Sequence, residues 1–138
     1  AAEDIGLAYP QAIGIVKSCV DAALQLGLPE AQLPLAQAVV LLSTAPKSNS
    51  ASKAIWAAMH DVEHTEIGSV PHTIRDTHYG GAQKLGRGGY LYSHDYPNHY
   101  VEQQYLPDAL VGKVYYEFGK NKNEQAAKAY REKITGKK

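Results

Sequence analysis

The feature that most constrains this chain is a run of eight residues with almost no polar side, Leu35-Ala-Gln-Ala-Val-Val-Leu-Leu42. The surrounding prolines predict a helix that begins after Pro29 or Pro34 and ends before Pro46. A helix that is apolar on nearly every face must be buried all round, either by its own domain or by another subunit. The residues that we expect at an oligomer interface are Leu35, Val39, Val40 and Leu42.

Two more helices are predicted on either side of this run. Pro10 suits the first turn of a helix and Gly27 suits its end. The apolar stripe of this helix consists of Ile13, Val16, Val20, Ala23 and Leu24. Good N-cap residues at 48–50 precede a third helix, whose stripe consists of Ile55, Ala58, Met59 and Val62. The short loops favour antiparallel neighbours in a bundle.

The remainder is predicted to be an irregular segment closed by a helix. Eight of the ten tyrosines lie between Tyr79 and Tyr116. Residues 90–92 and 113–117 form at most one small β-hairpin. Asn121 and Glu124 have the spacing of a capping box, followed by a helix over about 122–134. Its expected inner face consists of Ala127, Tyr130 and Ile134.

The expected fold class is therefore mostly α, a helical bundle in one domain. We divide it into a helical core at 1–65, an irregular segment at 66–120 and a C-terminal helix at 121–136. A length of 138 residues suits one domain with its own core.

Composition excludes several classes of protein. Cys19 is the single cysteine, which excludes an internal disulfide framework and a zinc site with several cysteines. No apolar run is long enough to span a membrane. The first residues, Ala1-Ala2-Glu3-Asp4, are acidic where a signal peptide is basic, so we expect a cytoplasmic protein.

The zero net charge of the chain conceals two halves of opposite sign. Residues 1–70 carry three lysines against seven acidic residues, and residues 71–138 carry eleven basic against seven acidic ones. Such a division indicates a polarised surface or a docking face.

Two histidine motifs each admit a functional and a structural interpretation. His60 and His64 are one helical turn apart, as in a helical metal pair, but we favour two exposed histidines at a helix end. The stretch 94–99, with His94, Asp95 and His99, could supply a general base or a metal ligand. We favour a buried, hydrogen-bonded knot that holds an irregular loop together.

Two further motifs have ordinary structural explanations. Arg75 could bind a phosphate or a carboxylate, although pairing with Asp76 in its own loop is the more common arrangement. The glycines at 80–89 lie near positive charge but lack the order of a phosphate-binding loop, and we interpret them as turn geometry.

The C-terminal part is basic and contains interleaved tyrosines. Basic charge with aromatic rings is typical of single-strand nucleic acid binding, although a solvated helix face explains the same residues. The residues that we consider for DNA contact are Lys113, Lys120, Lys122, Lys128 and Arg131.

Seven separate strings, in order, resemble one protein family. They are EDIGLA (3–8), PEAQLPLAQAVVLL (29–42), APKSN (45–49), VPHTIRD (70–76), GYLYSHDYP (89–97), QQYLPD (103–108) and YYE (115–117). Together they look like the C-terminal region of the MgsA/RarA replication-associated recombination AAA+ ATPases, which are related to the Werner-helicase-interacting ATPase. The resemblance is specific because several independent strings agree.

The resemblance implies a helical domain that follows an N-terminal ATPase module and assembles tetramers. It implies a bacterial, nucleoid-associated parent protein that binds single-stranded or forked DNA at stalled forks, meets other replication proteins, and uses ATP and Mg²⁺ in that module. The present sequence contains no Walker A or Walker B segment. We therefore expect this chain to have no catalytic, cofactor or metal site of its own and not to hydrolyse ATP by itself.

The positions that match the family's strings carry no catalytic role in this interpretation and are expected to be architectural or to lie at an interface. They are Lys47, Ser48, Asn49, Pro71, Arg75, Asp76, Tyr90, His94, Asp95, Tyr96, Tyr105, Leu106 and Pro107. Departures from the family's pattern occur at Tyr9, Thr73, Ser93, Phe118 and Asn123.

Three hypotheses follow. The first is an oligomerisation domain of a replication and repair ATPase. The second is a DNA-binding module that acts through the basic half. The third is a small metal-dependent hydrolase built on His94 and Asp95.

Overall fold

A computed structural model describes residues 1–75 and 89–136. Within these residues the α-helices are α1 (Ala12–Leu26), α2 (Gln32–Thr44), α3 (Ser50–His64) and α4 (Lys122–Thr135). Short 3₁₀ turns lie at Gly6–Ala8, His72–Ile74, Ser93–Asp95, Pro97–His99 and Asp108–Leu110. The mostly α fold class that the sequence predicts is confirmed. None of the described helices is both long and apolar enough to cross a membrane.

The chain divides into two compact units. The first unit comprises Ala1–Ala57 and Tyr115–Ala129, and the second comprises Ala58–Val114 and Tyr130–Lys138. The three-part division expected from the sequence stays a prediction.

Helices α1 and α2 pack against each other in the first unit. The buried residues of α1 are small, namely Ala12, Cys19 and Ala23. The buried residue of α2, Ala38, is small as well. Small side chains let two helices approach closely. The stripe predicted for α1 is therefore wrong in part, since Ile13, Val20 and Leu24 are exposed.

The ends of both helices follow local rules. Gly27 closes α1 with φ 71°, and its N–H donates to the carbonyl of Ala23. Ala45 is extended, as the residue before a proline usually is, and α2 ends beside it at Thr44.

The N-terminal segment is held against the loop between α2 and α3. Ile5 and Ala8 are buried, and the N–H of Ser48 donates to the carbonyl of Asp4 at 2.8 Å. Gly6 has φ 46°, and a Cβ there would lie 3.2 Å from the carbonyl oxygen of Ser48. A glycine is required here because both the backbone conformation and the close approach disfavour a side chain.

Helix α3 begins at Ser50 as predicted, but its inner residue is not apolar. The stripe residues Ile55, Met59 and Val62 are exposed, whereas Asp61 is buried. The ammonium of Lys113 donates to both carboxylate oxygens of Asp61 at 2.7 Å. This ion pair joins α3 to a segment 52 residues further along the chain.

The small hairpin is absent from the described residues, since neither 90–92 nor 113–117 is a strand. The side-chain amide of Gln103 takes the place of a neighbouring strand at Leu91. Its Oε1 accepts from the N–H of Leu91 at 3.1 Å, and its Nε2 donates to the carbonyl of Leu91 at 2.8 Å. One side chain thus supplies hydrogen bonds to the backbone N–H and carbonyl of Leu91, which a neighbouring strand would supply in a β-sheet.

Helix α4 occupies the predicted range, and the side chain of Asn121 caps it by accepting from the N–H of Glu124 at 3.0 Å. The predicted inner face is wrong. Ala127 and Tyr130 are exposed, Ile134 is half-buried, and Glu124 is the buried residue of the helix.

Candidate functional site

The outer face of α2 is apolar and exposed within this chain. The exposed fractions are 76% for Leu33, 43% for Leu35, and 61% for both Val39 and Val40. Leu42, the other residue expected at an interface, is half-buried. The all-round burial expected for this helix is therefore not achieved by the described part of the chain, which covers one face of α2 through Ala31 and Ala38.

This exposed face follows from the packing of α1 with α2. Ala38 faces inward, and Val40, two residues later, lies on nearly the opposite side of the helix. We call Leu33, Leu35, Val39 and Val40 the α2 apolar face. Several large apolar side chains exposed on one helix mark a site of association more often than an ordinary soluble surface.

Glu124 is the centre of a buried polar cluster in the first unit, and its exposed fraction is 0%. Its Oε1 accepts from the hydroxyl of Tyr116 and from the N–H of Gly119, the latter at 3.1 Å. Its Oε2 accepts from the side-chain amide of Asn121, and the hydroxyl of Ser48 also bonds to the carboxylate. We call these residues the Glu124 cluster.

The hydrogen bonds of this cluster determine which of its side chains are charged at neutral pH. Burial alone would raise the pKa of Glu124, but the donors from Tyr116, Asn121, Gly119 and Ser48 outweigh it and lower the pKa to about 2. Burial, and then the bond to the Glu124 carboxylate and its charge, raise the pKa of Tyr116 above its ordinary value. Glu124 is thus a carboxylate and Tyr116 a neutral donor at neutral pH, which suits a structural role.

The matched residues at 47–49 close the end of α2. The ammonium of Lys47 donates to the carbonyl of Leu42, one of the last carbonyls of that helix. Ser48 bonds to Glu124, and its Oγ also accepts from the N–H of Ser50 at 3.3 Å at the start of α3. Asn49 is exposed.

The described residues of the next matched string, 70–75, form a local turn. The carbonyl of Pro71 accepts from the N–H of Ile74 at 3.2 Å, and Nε of Arg75 donates to the carbonyl of Val70 at 2.6 Å. The side chain of Arg75 therefore makes a hydrogen bond within its own loop. Asp76 and the glycines at 80–88 lie outside the described residues, so the pairing with Asp76 stays a prediction.

The His94 stretch is exposed, so the expectation of a buried knot is wrong. The ring of His94 contacts the rings of Tyr92 and His99, with centroids 5.0 Å apart in each case. His99 and the preceding Asn98 have φ of 53° and 57°, which turns the chain sharply there. Asp95 and Tyr96 are exposed as well. Ring contacts, and not buried hydrogen bonds, connect these side chains.

His60 and His64 lie at the exposed end of α3, as the structural interpretation predicts. Their rings are stacked with centroids 4.4 Å apart, and Nδ1 of His64 lies 2.9 Å from the carbonyl oxygen of His60. In residues 1–75 and 89–136, no group of three or more His, Cys, Asp or Glu side chains is placed to hold a metal ion.

The basic residues considered for DNA contact differ in their surroundings. Lys113 forms an ion pair with Asp61 within the second unit. Lys120, Lys122, Lys128 and Arg131 are exposed. The last three of these belong to α4.

The other matched residues lie near the loop that follows residue 100. The hydroxyl of Tyr105 accepts from Nε2 of Gln103 at 2.8 Å, and the carbonyl of Leu106 accepts from Nε2 of Gln104 at the same distance. The carbonyl of Pro107 accepts from the N–H of Leu110, which is buried. Tyr90 is half exposed.

Sequence reasoning missed two residues that organise these segments, Asp61 and Gln103. Gln103 lies in a stretch without an apolar period, whereas the apolar period of α3 indicated residues other than Asp61. Their partners are 52 residues away for Asp61 and 12 residues away for Gln103. Glu124 was found as part of a capping box, but its burial and its bonds to Tyr116 and Ser48 had no sequence signal.

Comparison with known proteins identifies one family. Residues 1–135 match the family model described as "MgsA AAA+ ATPase C terminal". The chain is 54% identical over 117 residues to replication-associated recombination protein A of Bacillus subtilis. It is 49% identical over 117 residues to an AAA domain-containing protein of Mycobacterium tuberculosis, and 30% identical over 120 residues to ATPase WRNIP1 of Dictyostelium discoideum.

These alignments cover most of the present chain but little of the relatives. They include 84%, 84% and 86% of this chain, against 28%, 26% and 14% of the respective relatives. The chain therefore spans about a quarter, or less, of the length of the proteins that it resembles.

Proposed function

Because this chain belongs to the family of MgsA AAA+ ATPase C-terminal domains, we propose that it is the self-association domain of an ATPase of DNA replication, recombination and repair. In this proposal four copies assemble through the α2 apolar face. ATP hydrolysis with Mg²⁺ and the recognition of stalled forks are activities of the whole protein, to which this domain contributes the assembly. The printed name of the Bacillus subtilis relative supports the replication and recombination context.

The α2 apolar face is the observation that carries the proposal. Val39 and Val40 are branched, apolar and mostly exposed, in the middle of a regular helix. Removing such side chains from water contributes about 1.5–3 kcal/mol each when burial is complete. Stable interfaces between subunits are built from residues of this kind and resemble a core cut in half.

Light scattering coupled to size exclusion tests the proposal. We expect the chain at tens of micromolar to have a mass of four times the 15.0 kDa of one copy. Val40→Glu should reduce this to the monomer mass, because association would bury an unpaired carboxylate. Gln25→Glu is the matched control, since it adds the same charge to an exposed position of α1, on a different helix from the α2 apolar face.

A wild-type chain that remains monomeric across this concentration range contradicts the proposal. So does a Val40→Glu variant that is helical by circular dichroism and still assembles like the wild type. If Gln25→Glu dissociates the assembly as fully as Val40→Glu, an added negative charge anywhere on the chain has this effect and the assigned face is wrong.

A further inference from the structure

The exposed end of α3 carries two imidazole rings that lie against each other. His60 and His64 are one helical turn apart, and both side chains are exposed. Their ring centroids are 4.4 Å apart, and the ring planes differ by 19°. The sequence alone led to the expectation of no metal site, because the spacing of two histidines does not show how their rings are arranged.

A hydrogen bond determines which nitrogen of His64 is able to bind a metal ion. Nδ1 of His64 lies 2.9 Å from the carbonyl oxygen of His60. Because a carbonyl oxygen only accepts, Nδ1 carries the proton in this contact, and Nε2 of the neutral ring keeps its lone pair. Histidines that bind metals usually donate their other ring N–H to a carbonyl or a carboxylate in this way. The contact therefore holds His64 in the tautomer that a metal ligand requires.

The two rings are close enough to bind one ion together. A zinc ion lies about 2.0–2.1 Å from each imidazole nitrogen, so two nitrogens of a tetrahedral site are about 3.4 Å apart. Rings that are stacked with centroids 4.4 Å apart reach this separation by small rotations of the side chains. Since the contact already orders both rings, little side-chain entropy is lost when they bind an ion.

The surroundings of the pair favour a cation. His64 is the last residue of α3, where the helix dipole places partial negative charge. Glu63 and Glu66, which are near the pair in sequence, are exposed carboxylates. The ammonium of Lys113, which reaches Asp61 on the same turn of α3, is compensated by the carboxylate of that residue.

Neutral imidazole discriminates between metal ions. It suits Zn²⁺, Cu²⁺ and Ni²⁺, whereas Mg²⁺ and Ca²⁺ prefer oxygen ligands. In the described part of the chain, no third His, Cys, Asp or Glu side chain joins the pair to complete a metal-binding group. The other positions of a four-coordinate ion are therefore left to water, so the site is open, unlike a closed structural zinc site.

We propose that His60 and His64 together bind one divalent transition-metal ion that prefers nitrogen ligands, such as Zn²⁺, through Nε2 of His64 and a ring nitrogen of His60. The pair belongs to the second unit, whereas the α2 apolar face belongs to the first. Metal binding is thus separate from the proposed self-association and does not rest on it.

Isothermal titration calorimetry of the untagged chain with zinc chloride tests the site, and we expect one ion per chain. His60→Gln and His64→Gln should each weaken binding by about tenfold or more, because chelation by two linked ligands is lost. His72→Gln is the matched control, since His72 is an exposed histidine of the same unit without a second histidine one helical turn away. It should bind zinc within about twofold of the wild type, as expected for an independent position.

Thermal unfolding gives a second measurement of the same site. An ion that binds the folded chain raises its melting temperature as the concentration of the ion increases. The melting temperatures of the wild type and of His72→Gln should rise with zinc chloride and return to their starting values with EDTA. Those of His60→Gln and His64→Gln should not respond to zinc, and magnesium chloride should have no effect on any of the four proteins.

Five results would overturn the proposal. They are no binding of zinc at neutral pH, a loss in His72→Gln equal to that in the two pair variants, a loss in only one of the pair variants, binding of Mg²⁺ as tight as that of Zn²⁺, and half an ion per chain, since two copies would then share the ion. Circular dichroism checks folding, and if one pair variant is unfolded, the other decides the matter.

Light scattering in zinc chloride and in EDTA separates this site from the proposed function. The assembled mass of the wild type should be the same in both, and His60→Gln should leave it unchanged. A mass that changes with zinc would show that the ion links copies and would also reject the site as proposed. Loss of zinc binding in a variant that still assembles supports the metal site alone, and zinc binding by a chain that never assembles refutes only the self-association.

Discussion

At the scale of single residues, Glu124 shows how a helix can bury a charge. The carboxylate is held by four neutral donors, from Tyr116, Gly119, Asn121 and Ser48. A buried carboxylate is tolerated when such donors replace the water that it loses. The cluster connects α4 to the start of α3, and so to two parts of the first unit that are far apart in sequence.

We expect the stability of the chain to depend on the ionisation of Glu124. The folded pKa of about 2 lies below the reference value of 4.5, so the contribution is complete above about pH 4.5 and is lost as the pH falls towards about 2. Urea unfolding at a series of pH values measures the effect. Glu124→Gln should lose this pH dependence and be less stable by about 1–3 kcal/mol near neutral pH, because the amide cannot accept from all four donors.

The exposed Glu117 provides the comparison for that experiment. Glu117→Gln should change the free energy of unfolding by less than about 0.5 kcal/mol. A Glu124→Gln variant as stable as Glu117→Gln at neutral pH would show that the cluster contributes nothing to the fold.

A second prediction at this scale concerns Gly119. A Cβ at this position would lie 2.7 Å from Oε2 of Glu124, so Gly119→Ala must displace the carboxylate from its donors. We expect a loss of about 1–3 kcal/mol in the free energy of unfolding. Gly14 in α1 is the matched control because a Cβ there meets nothing within 4 Å. Gly14→Ala should stabilise the chain by about 0.5–1 kcal/mol, since alanine is the better helix former.

At the scale of the elements, the helices form where their patterns predict, but they bury unexpected faces. Helix α3 turns Asp61 inward and leaves Ile55 and Met59 exposed, and α4 turns Glu124 inward and leaves Tyr130 exposed. In each case a specific polar partner, Lys113 or Tyr116, makes the burial of the charge possible. Apolar periodicity alone cannot identify such a face, because it assumes that the inner side is the apolar one.

The ion pair between Asp61 and Lys113 leads to a prediction at the scale of elements. The side chain of Asp61 is 12% exposed, so Lys113→Met should leave a largely buried carboxylate without one of its donors and destabilise the chain by about 1–3 kcal/mol. Lys17→Met removes the exposed pair of Lys17 with Asp21 on α1 and should cost less than about 0.5 kcal/mol. Thermal unfolding of the two variants beside the wild type measures the difference, and equal losses would show that burial of Asp61 has no consequence.

At the scale of the whole molecule, the large number of exposed apolar side chains is the property that requires an explanation. They include Leu33, Val39 and Val40 on α2, together with residues of α1 and α3. A chain that leaves this much apolar surface in water is less stable alone than in an assembly, provided that the assembly covers it.

We expect the melting temperature of the chain to rise with its concentration, because an assembled native state is favoured by mass action. Differential scanning calorimetry over a hundredfold range of concentration measures the shift. In Val40→Glu the melting temperature should no longer depend on concentration, whereas Gln25→Glu should behave like the wild type. A wild-type melting temperature that is independent of concentration would contradict self-association of the folded chain.

The positions of the helices, several of their ends and the family follow from the sequence alone. Pro10, Gly27 and Pro46 act through the backbone of their immediate neighbours, and the seven matching strings are preserved in order, so these conclusions needed no three-dimensional information. The apolar character of α2 was equally visible, and with it the expectation that more than one chain is needed to cover that helix.

The side of each helix that faces inward is set by contacts between distant parts of the chain. The partners of Asp61, Gln103 and Glu124 come from distant segments or from a loop without periodicity, and their bonds to Lys113, Leu91 and Tyr116 form only when those segments meet. Local propensity fixes where a helix forms, whereas its orientation depends on long-range partners, because a buried charge is stable only where a specific donor reaches it.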